Sequence, residues 1–418
     1  MIRSIWTLAG SILVQAVAAA GVTAQQTRLD SLILAAMDRY HLPGLAAAAV
    51  DSGRVVWIGT YGFANADSQI RVTAETPFHI ASVSKPFTAT VLLSLYVAAP
   101  FDLDRDINSF LSFPVRNPNH SNIPVTVRQL LRHRSSIADN GEYYEPFWSE
   151  ADGDPTTPLG DYLRDYLSPG GASYDSARNF LSTMPGTSRR YCNTCYALLG
   201  YLAEVIANTP FERLSEEVLF DPLGMTRTAW FLRGLDGPAP AMPYRFAQDT
   251  GFIAYGHNGY PDWPAGQLRS SIHDLGRFLG VYASGGKLDG RTVIDPRVVD
   301  LMAPADAELG FHTWSQLALR NRQILYVHQG GDIGVSSVMG FRRQGARGVV
   351  VVANSVGPLL PIFEDVFLAI DTLVAGLSPR PERNQRRMNR QRRDQQSDSG
   401  HEGNRSRSVG VGTQGSRW

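Results

Sequence analysis

A serine and a lysine three residues apart, in Ser82-Val83-Ser84-Lys85, are the residues here best placed to do chemistry. They follow Pro77 and precede a helix-like run from Phe87 to Tyr96. On a helix, positions i and i+3 share a face, so a helix starting near Ser82 sets the hydroxyl beside the amine. A serine hydroxyl is a weak nucleophile until a base takes its proton. A lysine amine does this when burial disfavours its charge; a guanidinium does not. Residue usage sharpens the point. Of 39 basic residues only Lys85 and Lys287 are lysine, and the rest are arginine. Lys287 also has a serine three before it, but the two glycines of Ser284-Gly285-Gly286-Lys287 mark a turn, not a helix.

Two further segments supply partners. Tyr191-Cys192-Asn193 follows Pro185-Gly186 and precedes the apolar run Ala197-Leu198-Leu199. Tyr191 beside such a lysine is a candidate phenolate base, and Asn193 a candidate holder of a substrate amide. His328-Gln329-Gly330-Gly331 ends a strand-like run, and its glycines admit a ligand close to the backbone. Structural roles compete in both places: a buried tyrosine with a helix cap, and a hairpin corner with an incidental histidine.

The elements that position these residues are legible at the two ends of the fold. Thr27 to Tyr40 has helical apolar spacing and stops at Pro43-Gly44. Leu45–Val50 and Val55–Tyr61 are apolar runs joined by Asp51-Ser52-Gly53, a hairpin signal. Val335–Phe341 and Gly348–Ala353 form a second such pair, and Pro361–Leu377 reads as an amphipathic helix. Helix-strand-strand therefore opens the fold and strand-strand-helix closes it. The expected class is α/β of the α+β kind: an antiparallel sheet flanked by terminal and central helices, with a mainly helical insertion over about residues 98–260.

Composition excludes several classes. Lys plus Arg and Asp plus Glu are 39 each, so the net charge is zero, which argues against a specific nucleic-acid binder. Two cysteines exclude a disulfide scaffold and a four-thiolate zinc site. Residues 1–24, with Arg3, an apolar stretch and Val22-Thr23-Ala24, read as a secretory signal peptide. We expect a periplasmic or secreted protein without stable membrane insertion after cleavage. Residues 379–418 hold ten arginines against four acids and almost no apolar residues, and read as a disordered tail.

In order and spacing, the three segments resemble the serine β-lactamase-related superfamily, which includes class C β-lactamases, D-Ala-D-Ala carboxypeptidases, D-aminopeptidases and related esterases. Leu42-Pro43-Gly44, Tyr61-Gly62-Phe63-Ala64, Val125 to His133, Pro222-Leu223-Gly224-Met225 and the segment from Ala265-Gly266 to Phe278 extend the resemblance over residues 42–377. It implies a serine hydrolase domain over residues 27–378, needing no metal or cofactor. Ser82 would form an acyl-enzyme, with Lys85 and Tyr191 sharing the proton transfers. The N–H groups of Ser82 and Gly331 would form an oxyanion hole, Asn193 would orient the substrate, and His328 with Gly330 would line the opposite wall. The implied substrates are small esters or amides, or peptidoglycan-type D-amino-acid peptides; β-lactam hydrolysis is the alternative. A different class, a non-catalytic module binding the cell wall, would have no need of Ser82, Lys85 and Tyr191 together.

Two departures stand out. Class C β-lactamases carry Lys-Thr-Gly where this chain has His328-Gln329-Gly330, so a fixed positive charge for the antibiotic's carboxylate is missing. This favours the esterase and peptidase branches. The family's Ser-Gly after the position of His133 is Ser135-Ser136 here. Cys192 and Cys195 form a C-x-x-C, but no thioredoxin-like context surrounds them, and two free, partly buried thiols are expected.

Overall fold

The computed structural model describes residues 27–142, 153–303 and 313–377. The expected signal peptide and the arginine-rich tail lie outside them. Up to Asp371 the described residues belong to one compact unit.

Helix α1 (27–40) buries Leu29, Ile33 and Met37, one residue per turn. Strands β1 (Gly44–Asp51) and β2 (Arg54–Asn65) then form an antiparallel hairpin. Its two-residue turn has Ser52 at φ 52° and Gly53 at φ 75°, the positive-φ geometry that matches strand twist. A short β3 (Ile70–Arg71) adds to the edge. From the far end of the chain come β4 (Ser315–Ala318), β5 (Ile324–Asp332), β6 (Val335–Arg342) and β7 (Arg347–Ala353). They join one antiparallel sheet in the order β4-β5-β6-β7-β1-β2-β3. The two ends meet where Leu45 of β1 lies opposite Ala353 of β7 and Val50 opposite Gly348. Ala46 to Ala49 of β1 have no exposed surface, as expected of a central strand covered on both faces.

The helices that matter for the site are α2 (Ser84–Ala98), α3 (Val127–Leu131), α4 (Leu159–Leu167), α5 (Asn193–Ala207), α6 (Ile272–Ala283) and α7 (Leu359–Leu377). α6 lies close on the sheet because Gly276 faces Val55; a Cβ there would stand 2.7 Å from it. α7 meets the sheet through Phe363, packed against Gly340 of β6. α2 is buried from Ser84 to Leu93.

The insertion is less helical than its periodicity suggests. Besides α3, α4, α5 and a helical run over residues 211–223 it holds long irregular stretches and a hairpin, Tyr244–Ala247 with Gly251–Ala254. Strands of four residues are too short for alternation to show in sequence. A small sheet of Pro77–His79, Arg269–Ser271 and Thr228–Ala229 ties the chain entering Ser82 to the end of the insertion.

Candidate active site

Ser82 lies in a 3-10 turn, Ala81–Val83, that runs directly into α2. Ala81 takes φ 47°, a left-handed conformation that costs a residue with a side chain roughly 1–2 kcal/mol. Its surroundings hold it there. Ser84 Oγ donates to the Ala81 carbonyl at 2.6 Å and accepts from Leu268 N–H at 3.1 Å. Ser337 Oγ, on β6, donates to the Ile80 carbonyl at 2.6 Å. The turn thus joins the sheet to α2 and leaves Ser82 half-buried, reachable from outside.

Lys85 has no exposed surface. Its Nζ donates to Ser82 Oγ at 3.2 Å, to Asn193 Oδ1 at 2.8 Å and to the Ala265 carbonyl at 2.7 Å. These are as many acceptors as an ammonium has protons. They come from three separate segments: the Ser82 turn, the start of α5 and the turn Trp263–Ala265. Thr88 Oγ1 steadies the last of these by donating to the Pro264 carbonyl at 2.6 Å.

Asn193 opens α5, and the helix start is fixed by Asp139. That carboxylate accepts from Asn193 N–H at 2.6 Å, and from Thr194 N–H and Thr194 Oγ1 at 3.0 Å each. Free N–H groups at a helix N-terminus favour such an acceptor. Cys192 is the N-cap residue, and its sulfur is bonded to that of Cys195. The expectation of two free thiols is therefore wrong. The first helical turn sets the two Cα atoms 5.3 Å apart, within disulfide range, and both side chains are fully buried.

The Tyr191 ring faces the amine, with Lys85 Nζ 4.7 Å from its centroid. His133 stacks on Tyr191, centroids 4.7 Å apart, and its Nδ1 accepts from Cys192 N–H at 3.2 Å. That bond makes Nδ1 the unprotonated nitrogen of His133.

His328, on β5, sits between carbonyls: Nδ1 donates to Thr313 O at 2.5 Å, and Ser82 O also faces the ring. Burial, and then the Lys85 charge, lower its pKa to about 4. The ring is neutral at pH 7. Gly330 abuts the Ser82 turn; a Cβ there would lie 2.5 Å from Ile80 O and 3.0 Å from Ser82 N. Gly331, opposite Ser336 in the β5–β6 register, has open space before it.

Two cavities flank this cluster. One of about 130 Å³ is lined by Ser82, Asn193, Gly331, Asp332, Tyr260 and Asp262 among others. The other, about 310 Å³, is lined by Tyr191, His328, Gln329, His133, Arg189 and Gln316 among others. Among the described residues, no three His, Cys, Asp or Glu side chains converge as metal ligands.

All seven residues singled out in sequence thus fall in one region. Sequence reading missed His133 and Asp139. His133 lay within a matched segment but had no metal-ligand spacing to mark it. Nothing local marks Asp139, whose partners are more than fifty residues away in the chain.

An antiparallel sheet with helices on both faces and a helical insertion, meeting at a half-buried serine and a buried lysine in Ser-x-x-Lys spacing, defines the β-lactamase/transpeptidase-like fold. Residues 29–370 match the Beta-lactamase family, and the chain belongs to it; homologues with this fold are serine hydrolases. Among related sequences, "Protein flp" of Staphylococcus aureus (strain MRSA252) is 24% identical over 254 residues, 61% of this chain and 48% of that protein. This chain thus spans about half the length of that relative. Among solved structures, the octameric penicillin-binding protein homologue from Pyrococcus abyssi superposes with a TM-score of 0.66 at 22% identity, covering 85% of this chain and 78% of that one. The D-amino acid amidase from Ochrobactrum anthropi SV3, complexed with D-phenylalanine, gives 0.62 at 21% identity, covering 85% and 98%. At these identities the structural likeness speaks to fold alone.

Proposed function

We propose that the protein hydrolyses esters, amides or D-amino-acid peptides through an acyl-enzyme on Ser82. The observation that carries this is the buried Lys85 amine 3.2 Å from Ser82 Oγ. The hydrogen bond between them runs either way: with a neutral amine, it carries the Ser82 proton onto Nζ as the oxygen attacks a carbonyl. Tyr191, against the amine, relays a proton to the leaving group. The Ser82 and Gly331 N–H groups stabilise the oxyanion; donors of this kind are typically worth about 3 kcal/mol. Asn193, held by Asp139 and Lys85, orients the acyl group, and His328 with Gly330 forms the opposite wall. Water then releases the acid and restores Ser82.

The neutral His328 favours an esterase or peptidase over a β-lactamase, since it offers no fixed charge to a β-lactam carboxylate. An exported location is in keeping with residues 1–24 and with a disulfide in the fold.

Intact-protein mass after exposure to a fluorophosphonate and to a fluorescent penicillin, with p-nitrophenyl acetate turnover alongside, tests the proposal. An adduct and turnover present in the wild type and absent in Ser82→Ala support it. A stable penicillin adduct moves the reading toward a D-Ala-D-Ala carboxypeptidase. A folded protein with neither adduct nor turnover is instead a binding module.

A further inference from the structure

We infer that the substrate is a short zwitterionic peptide, its α-ammonium received by Asp332 and Asp262 on the acyl side of Ser82 and its carboxylate by Arg189 on the leaving-group side. This deepens the hydrolase proposed above and rests on that reading.

The two cavities, one lined by Ser82 and the other by Tyr191, differ in charge. The smaller one adjoins Asn193 and Gly331, where the acyl group would sit, and two carboxylates line it. Asp332 directly follows Gly331 on β5. It accepts from Ile333 N–H at 2.7 Å and from the Tyr260 phenol. An ionised carboxylate has about four acceptor positions, so capacity for a donor in the cavity remains. Burial pushes the Asp332 carboxyl up, and a cation set beside it would offset that cost. About 130 Å³ is roughly the space of four waters, enough for one small aminoacyl group.

The larger cavity lies beyond Tyr191, the residue that would protonate the leaving group. Its cation is Arg189, which is exposed and has no carboxylate partner among the described residues. His328 there is neutral. A guanidinium suits a carboxylate, meeting both oxygens at once.

A dipeptide carries both charges close to its scissile bond. Its ammonium is two bonds from the scissile carbonyl carbon, and its carboxylate two bonds from the scissile nitrogen. Both charges must then be met directly beside Ser82, on opposite sides. Ser82 Oγ bonds to the carbonyl carbon, the C–N bond breaks, and the amine of the second residue leaves with a proton delivered through Tyr191. Water cleaves the ester, returning a proton to Ser82 Oγ and freeing the first amino acid.

The test compares kcat/KM for alanyl-alanine, in D,D and L,L forms, with its N-acetyl and its C-terminal amide derivatives. Fluorophosphonate labelling and p-nitrophenyl acetate turnover report on the parent reading. The free dipeptide of one configuration should exceed each singly blocked form by about tenfold or more, as expected of hydrogen bonds to charged groups. Asp332→Asn should bring the free-to-acetylated ratio toward one while the acid-to-amide ratio persists. Arg189→Gln should do the converse. Both readouts are ratios within one protein, so a partly unfolded variant does not distort them. Ser82-dependent ester turnover with free and blocked peptides cleaved equally, or none cleaved, overturns the inference and leaves the hydrolase standing. No labelling and no turnover of any kind overturns both.

Discussion

The amine of Lys85 touches three acceptors from three segments, and side chains of similar length do not replace it. Lys85→Met removes all three hydrogen bonds. Lys85→Arg keeps a charge but supplies a group that does not give up its proton. Both variants should lose about 10²- to 10⁴-fold in kcat on p-nitrophenyl acetate, the usual worth of a positioned base. Arginine rescuing more than a tenth of the activity would show that charge, not proton transfer, is what position 85 supplies. Tyr191 admits a sharper separation. If it protonates the leaving group, Tyr191→Phe should slow an anilide far more than a p-nitrophenyl ester, because nitrophenolate departs without a proton. Equal losses on both substrates would assign Tyr191 to the attack step instead.

At the scale of elements, two glycines side by side on β5 have different duties. A methyl group at Gly330 would collide with the Ile80 carbonyl and crowd Ser82 N, whereas Gly331 faces open space. Gly330→Ala should therefore lower thermal stability by about 1–3 kcal/mol, as overpacking does, and depress turnover with it. Gly331→Ala should leave the melting temperature nearly unchanged; equal shifts in both would contradict the packing described. Asp139 works through α5. Asp139→Ala removes the acceptor at the helix start and should cost about 0.5–2 kcal/mol, and it should free Asn193 enough to raise KM on amides. Both hairpins and terminal helices were legible in sequence because strong local signals, Ser52-Gly53 and one apolar residue per turn, agree with the tertiary fold. The three segments that carry the candidate site residues were legible because each is contiguous. Asp139 was not, because its contact with α5 spans the chain. The disulfide was misjudged because C-x-x-C was read for its chemical context rather than for the helical turn that joins the sulfurs. Ser136 shows the reverse: the glycine absent from the family's pattern corresponds to φ 62°, a left-handed position that a serine occupies here. Its Oγ donates to the Ser135 carbonyl at 2.6 Å and accepts from Asn117 at 2.8 Å, which offsets the strain.

For the molecule as a whole, the site exists only when the sheet from the chain's two ends and the insertion are locked together, and a buried histidine sits at that junction. His79, on the small sheet beside the nucleophile turn, is 4% exposed and its Nε2 bonds the Gly266 carbonyl at 2.8 Å. Burial first, then Arg269, lower its pKa to about 3, and His328 is lowered to about 4. In the unfolded chain both would titrate near 6.5. Between that value and the folded ones, the unfolded state binds protons that the folded state refuses, so stability falls as pH falls below about 6.5. Each histidine contributes a slope of up to about 1.4 kcal/mol per pH unit, less for the partly exposed His328. Asp332 and Asp274, raised by burial, act in the opposite sense: their folded forms gain protons first on acidification, which softens the loss toward the acid end. The expected result is a denaturation midpoint that is flat from pH 8 to 7 and drops from pH 6.5 to 5. In His79→Gln the same interval should be flatter by up to about 1.4 kcal/mol per unit, whatever the variant loses at pH 8. An unchanged slope in that variant would show that His79 accepts its proton in the folded state, and would place the acid sensitivity of the junction elsewhere.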